Sequence, residues 1–311
     1  MSTPKAPCYP NEKFKSQNFL ALTPGRKGEG GQRTLGIFKN SLPQKPLITI
    51  ITVSYNGKKY LEETIKSILE QSYSNFEYLV IDGGSTDDSL KIIEKYSDKI
   101  DYWVSEPDKG ISHAFNKGVS LARGDYINFQ GDGDGFTASN SLEKLNLEQY
   151  KGAELVSARV NRVNEKGDIF FTSKHEPCFH KRSLLFRMSC PHQGLFTSLN
   201  YFKSYGLFKL SSKFAMDYEI LLRAYKNFPK LETSEQVVAK WRDDGLGKGR
   251  IRDVLNEYHE IKCENKVAHP FFLSCLNLWT HLKFSFKENL KALGIICIST
   301  LFLLIYLFFI K

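Results

Sequence analysis

Residues 47–82 read LITIITVSYNGKKYLEETIKSILEQSYSNFEYLVID. Leu47 to Val53 is a continuous aliphatic and β-branched run, the pattern of a strand buried on both faces. Tyr60, Leu61, Ile65, Ile68 and Leu69 then fall on one stripe of a helix. Phe76 to Ile81 is a second buried strand, closed by Asp82. Two such strands joined through a helix make a βαβ unit, which requires a parallel pairing.

The alternation continues downstream. DGGSTDDS (82–89) is a turn entering a helix: Ser85 or Thr86 can cap it, and Asp87 and Asp88 favour its positive end. DYWVSEP (101–107) is a short strand stopped by proline, Ile111 to Leu121 a helix, and DYINFQ (125–130) a fourth strand opening into GDGDGF. This predicts an α/β domain with a mainly parallel central sheet flanked by helices. Beyond residue 150, AELVSARVNRV and DIFFTS read as a hairpin. LNYFKSYG and FAMDYEILLRAYKNF read as helices, VVAKW as a strand, and RIRDVLNEYHEIKCENK as an amphipathic helix.

Composition narrows the class. The 311 residues are 41% hydrophobic and 25% charged, which excludes a disordered, collagen-like or disulfide-scaffold chain. The net charge of +9 suggests nucleic acid until it is located. Residues 1–46 hold eight basic and two acidic side chains, and residues 47–291 keep a net of only +2. No nucleic-acid partner is therefore expected. Residues 1–46, rich in Pro, Gly, Lys, Asn and Ser, read as a disordered or extended basic arm. Six scattered cysteines without a CxxC pair fit reduced, cytosolic thiols. The C-x-H pairs Cys178/His180 and Cys190/His192 lack zinc-ligand spacing.

The far end differs. Ala292 to Ile310 is nineteen residues without a charge, about 28 Å of helix and close to one hydrocarbon thickness. Lys283, Lys287 and Lys291 precede it and Lys311 follows. The expectation is a single-pass helix in the cell inner membrane with the folded domain in the cytoplasm. PFFLSCLNLWTHLKFSF (270–286), just upstream, fits either an interfacial helix or a core helix. The expected organisation is thus an arm (1–46), an α/β domain (47–250), C-terminal helices (251–291) and a membrane helix (292–310).

In open parallel sheets ligands bind beyond the carboxyl ends of the strands. The residues there are Ser54-Tyr55-Asn56, Asp82-Gly83-Gly84-Ser85, Glu106-Pro107-Asp108 and Asp132-Gly133-Asp134. No GxGxxG follows the first strand and no Walker A sequence occurs. Asp132 and Asp134 among glycines can hold a hard divalent cation, Mg²⁺ or Mn²⁺, together with substrate phosphates. Asp82 can accept the N3–H of uracil or thymine. Asp217 or Glu219, early in its helix, can act as a general base. His192 can meet a donor phosphate or an acceptor. Trp241 can stack on an acceptor sugar, with Arg242 pairing with a diphosphate.

Together these stretches resemble the family 2 glycosyltransferases of the GT-A (nucleotide-diphospho-sugar transferase) fold, and among them the branch that builds bacterial surface polysaccharides. The resemblance runs over ITIITVSYNGKKYLEETIKSILEQSYSNFEYLVIDGGSTDDS, EPDKGISHAFNKGVSLARGDYINFQGDGDGF and GLFKLSSKFAMDYEILLRAY. It implies inverting transfer from a nucleotide-diphosphate sugar, UDP or dTDP favoured, to a glycan or lipid-linked acceptor. It implies Asp82 at the base, Asp134 on the metal and Asp217 as catalytic base. Ser54 and Tyr55 would line the nucleoside pocket, with Asn56, Ser85, Asp132, His192 and Arg242 also on the donor. The chain departs from the family pattern where Gly83 follows Asp82, where Gly133 precedes Asp134, and where Met216 precedes Asp217. A catalytically inactive scaffold of the same fold is the alternative.

Overall fold

A computed structural model describes residues 14–174, 179–243, 245 and 247–293. The chain divides after Arg250 into two compact units. The first holds strands β1 (Gly28–Gly30), β2 (Ile48–Ser54), β3 (Phe76–Asp82), β4 (Tyr102–Ser105), β5 (Tyr126–Phe129) and β6 (Gly135–Phe136). These are followed by β7 (Leu155–Val163), β8 (Ile169–Thr172), β9 (Leu195–Ser198) and β10 (Leu231–Arg242). Its helices are α1 (Leu61–Leu69), α2 (Ser89–Lys95), α3 (Ile111–Leu121), α4 (Ser141–Leu145), α5 (Leu199–Tyr205) and α6 (Met216–Arg223).

The strands form one sheet in the order β1-β4-β3-β2-β5-β9-β7-β10-β6, with β8 on β7. All seven residues of β2 and of β3 are buried, as the aliphatic runs require. Leu61, Ile65 and Ile68 of α1 are fully buried in the same core. On α3, a side-chain carbon at Gly118 would lie 2.6 Å from Ile51, so glycine is what lets this helix settle on β2.

The sheet is mixed, which corrects the mainly parallel expectation. β2–β3, β2–β5, β3–β4 and β7–β10 are parallel, but β9 is antiparallel to both β5 and β7, and β1 and β6 join antiparallel. A parallel neighbour needs a crossover of a dozen or more residues, usually a helix. The chain before β9 is long enough for a crossover, residues 173–194 after β8, but β9 itself has only four residues and is entered from the 3-10 turn His192–Gly194. Because β9 reverses direction twice over, β7 and β10 again run with β5. The carboxyl ends of β2, β3, β4, β5, β7 and β10 share one edge.

Within the basic N-terminal segment, residues 14–46 lie against this domain. β1 adds to the β4 edge, Phe19 packs edge-on against Tyr102, and Arg33 is buried on Glu77. The second unit holds α7 (Ile251–Glu264) and α8 (Pro270–Leu293), which contact one another. No helix among the described residues is long and apolar enough to cross a membrane. The expected span 292–310 lies outside them from residue 294 onward.

Candidate active site

The strand ends converge on two acids. β5 runs into a tight loop whose Gly133, at φ +91°, adopts the left-handed region. Thr64 of α1 braces this loop: its hydroxyl accepts from the Gly133 N–H (3.0 Å) and donates to the Asp134 carbonyl (2.7 Å). Asp134 is thereby turned inward and is 7% exposed. Its Oδ2 accepts from the Gln193 side-chain amide at 2.9 Å, and its Oδ1 from the Arg242 backbone N–H at 3.3 Å. Burial raises the Asp134 carboxyl above its usual range, against the opposing pull of His192 and these donors.

His192 joins the two acids. Its Nδ1 lies 3.2 Å from Asp217 Oδ2, and its Nε2 lies 4.0 Å from Asp134 Oδ2. Burial pulls the imidazole down, but the Asp217 hydrogen bond and both carboxylate charges outweigh it, so its pKa is raised. Asp217 opens α6, keeps 21% side-chain exposure, and accepts from the Tyr218 N–H at 2.8 Å. Glu219 is placed otherwise. It is fully buried and clamped by Arg223, whose Nε donates to Oε1 at 3.1 Å and whose Nη2 donates to Oε2. Arg223 in turn donates to the Tyr205 and Leu207 carbonyls, so this pair ties α6 to the segment that precedes it.

Asp82, at the end of β3, is also fully buried. Its Oδ2 accepts from the Ser105 hydroxyl (2.6 Å) and the Ser85 (2.9 Å) and Gly84 (3.2 Å) N–H groups, and its Oδ1 accepts from the Ser85 hydroxyl. Asn56, at φ 55°, donates its N–H to the Ser85 hydroxyl oxygen, and its side-chain carbonyl accepts from the Thr86 N–H. These residues therefore build the Gly83–Thr86 turn. Gly83 sits between two side chains: a carbon added there would fall 2.7 Å from Asp108 Oδ2 and 3.3 Å from the Tyr55 ring. Tyr55 is 66% exposed, so an open aromatic ring and a carboxylate both border Gly83. On the opposite side Ser54 donates to Asp132 at 3.4 Å.

Arg242 is committed inside the protein. Its guanidinium lies 4.0 Å over the Tyr60 ring and donates to Glu63 (3.1 Å) and to the Asn164 and Glu165 carbonyls. What it offers the acids is its backbone N–H. Trp241 faces the Arg162 guanidinium at 4.5 Å. Gln193, which holds Asp134, is not singled out by sequence, whereas Asp108 stands among the strand-end residues without an assigned role. The HQG turn that carries Gln193 is a visible signal, but an amide has no titration or metal-ligand pattern to mark it. Among the described residues no group of three or more His, Cys, Asp or Glu side chains could hold a metal ion alone.

With this geometry in place, comparison with known proteins is informative. The profile of the family described as "Glycosyl transferase family 2" matches residues 49–212. The chain is 29% identical to the chondroitin synthase of Escherichia coli over 188 residues, which are 59% of this chain and 27% of that protein. The matched stretch thus spans about a quarter of that relative. Among solved structures, S. aureus TarS 1-349 in complex with UDP-GlcNAc superposes at a TM-score of 0.57 with 18% identity, covering 74% of this chain and 70% of that one. Mannosyltransferase PcManGT from Pyrobaculum calidifontis, in complex with GDP-Man and Mn²⁺, gives 0.57 and 19%, covering 88% and 84%. At such identities these two share the fold, a GT-A-like α/β arrangement around a mixed sheet. The chain belongs to the family 2 glycosyltransferases.

Proposed function

We propose that this protein is an inverting glycosyltransferase that moves a sugar from a nucleotide-diphosphate donor, UDP- or dTDP-linked, to a hydroxyl of a glycan or lipid-linked acceptor in surface-polysaccharide synthesis. The observation that carries the reading is the bridging of Asp134 and Asp217 by His192 at the carboxyl edge of the sheet. One acid is buried, suited to a cation. The other is partly open, suited to a proton.

In this reading Asp217 takes the proton of the acceptor hydroxyl as that oxygen bonds to the anomeric carbon. The bond from that carbon to the diphosphate breaks on the opposite face, its electron pair leaving with the nucleotide. His192 orients Asp217 through Nδ1. The base packs against the exposed Tyr55 ring, beside the turn that Asp82, Ser85 and Asn56 hold. For Asp82 itself to accept a base N3–H, the Ser85 hydroxyl would have to release Oδ1.

Asp134 is suited to hold a divalent cation, which would neutralise charge on the donor diphosphate. Its Oδ1 accepts a long hydrogen bond from the Arg242 N–H, and metal charge would offset the burial that now disfavours the carboxylate. Asp132 is the second oxygen donor within the loop. When bound, Mg²⁺ or Mn²⁺ supplies electrostatic stabilisation of the departing diphosphate. Asp134→Ala is expected to cost several kcal/mol of that stabilisation, on the order of a thousandfold in rate. Donor-sugar turnover measured with added Mn²⁺ checks this; unchanged turnover refutes the metal role.

We propose membrane contact as well, with the enzyme on the cytoplasmic face of the inner membrane. Phe271, Leu278, Leu282 and Phe286 expose apolar side chains along α8 at helical spacing, and the uncharged stretch 292–310 follows. Full-length protein should float with phosphatidylglycerol-containing vesicles in a sucrose gradient. Recovery of all the protein at the bottom of the gradient refutes membrane contact.

A further inference from the structure

The Gly83–Thr86 turn is held from inside by Asp82, whose carboxylate takes the Gly84 and Ser85 N–H groups. The carbonyls of these two residues are held from outside. The Lys27 ammonium donates to the Gly84 carbonyl at 3.0 Å and to the Ser85 carbonyl at 2.8 Å. Lys27 lies upstream of residues 49–212, the stretch the family profile matches.

The segment that delivers Lys27 is firmly anchored. Its own N–H donates to the Ser105 carbonyl at 2.7 Å, and β1 begins at the next residue. Arg26, 6% exposed, pairs with Glu106 at 2.7 Å, and the Thr23 hydroxyl donates to the same carboxylate at 2.7 Å. Lys117 reaches Glu106 from α3 at 2.9 Å. Burial pushes Glu106 up, but Thr23, Lys117 and Arg26 outweigh it and keep the carboxyl below its usual range. Pro107, the next residue, is packed between Gly25 and Gly84: a carbon added at either glycine would lie 3.2 Å from it. The N-terminal segment is therefore keyed to the strand end from which the turn projects.

The geometry points to Lys27 as a positioning residue for the donor nucleotide, acting through the Gly83–Thr86 turn. The N-terminal segment thereby forms a wall of the donor pocket. A turn gripped on its N–H side alone can rock about the Asp82 carboxylate. Gripped on both sides, it presents Gly83 in a fixed place between Tyr55 and Asp108, so less order is lost when the base enters. This inference rests on the proposal that the turn borders the base site at Tyr55.

The test uses full-length protein titrated calorimetrically with UDP, dTDP and GDP in the presence of Mn²⁺. Lys27→Met is expected to weaken nucleotide binding about tenfold, the scale of losing charge-assisted hydrogen bonds, and to raise the donor KM similarly with kcat within about twofold. Lys27→Arg, which keeps the donors, should restore most of the affinity. Because Lys27 is exposed, the melting temperature should stay within about 2 °C. Equal affinities for wild type and Lys27→Met overturn the inference while the base-site reading stands. A wild type that binds none of the three nucleotides overturns both. A loss of affinity that comes only with a lowered melting temperature shows a structural role and also overturns it.

Discussion

Asp217→Asn is expected to lower transfer about a hundred- to ten-thousandfold, the usual worth of a positioned general base, while nucleotide affinity stays within about threefold. The amide is nearly isosteric, so its oxygen can still accept the Tyr218 N–H at the start of α6. What it cannot do is hold a proton taken from the acceptor. The control is Glu219→Gln, since both acids fall in the first turn of one helix. Glu219 is buried and paired with the buried Arg223 guanidinium, so neutralising it breaks one half of an ion pair in the core. That is expected to cost about 3–5 kcal/mol of stability, with activity falling only as the folded fraction falls. Transfer rates at saturating donor and acceptor, set beside denaturant midpoints, separate the two. If Asp217→Asn transfers at the wild-type rate, or if Glu219→Gln folds normally and is inactive, the base is misassigned.

Sequence could not choose between these acids by position, yet it carried a clue. Glu219 and Arg223 stand four apart on one helix, the spacing at which side chains meet. Asp217 has no such partner in its own helix, and its contact with His192 is made across 25 residues of chain. The parallel half of the sheet was legible because β2 and β3 are buried on both faces and so cannot alternate. Of the antiparallel members, β8 was legible as the hairpin partner of β7, whereas β1, β6 and β9, of three, two and four residues, lie in stretches with no alternation to mark them. Asp82 was legible as a strand-end acid, but not its orientation. The serines and glycine that turn its carboxylate inward carry no charge, and one of them, Ser105, comes from a neighbouring strand. Net charge says nothing of pairing, and at the N-terminus Arg26, Lys27 and Arg33 each have a specific partner in the domain.

Arg33→Met is the stability counterpart, with an expected loss of about 3–5 kcal/mol out of a total of about 5–15. Arg33 and Glu77 are each 1% exposed and meet at 2.5 Å in the middle of the domain. Arg33 also donates to the Leu121 carbonyl at the end of α3, at 2.9 Å. Glu77 also accepts from the Thr49 hydroxyl at 2.5 Å and from the Arg123 N–H at 2.7 Å. One ion pair thus fastens the N-terminal segment to β2, β3 and the loop that leads into β5. Methionine fills much of the arginine volume, so little of the loss comes from a cavity; it comes from stranding the Glu77 carboxylate away from water. The double variant Arg33→Met/Glu77→Gln removes both charges and should recover part of the loss, because a buried pair contributes far less than breaking one half of it costs. Urea unfolding of the single and double variants measures this, read from midpoints at an unchanged slope. A basic arm lying loosely on the surface would leave Arg33→Met within about 0.5 kcal/mol of wild type. That result would mean that residues 14–46 are not part of the folded domain, and the wall that Lys27 forms at the donor pocket would fall with it.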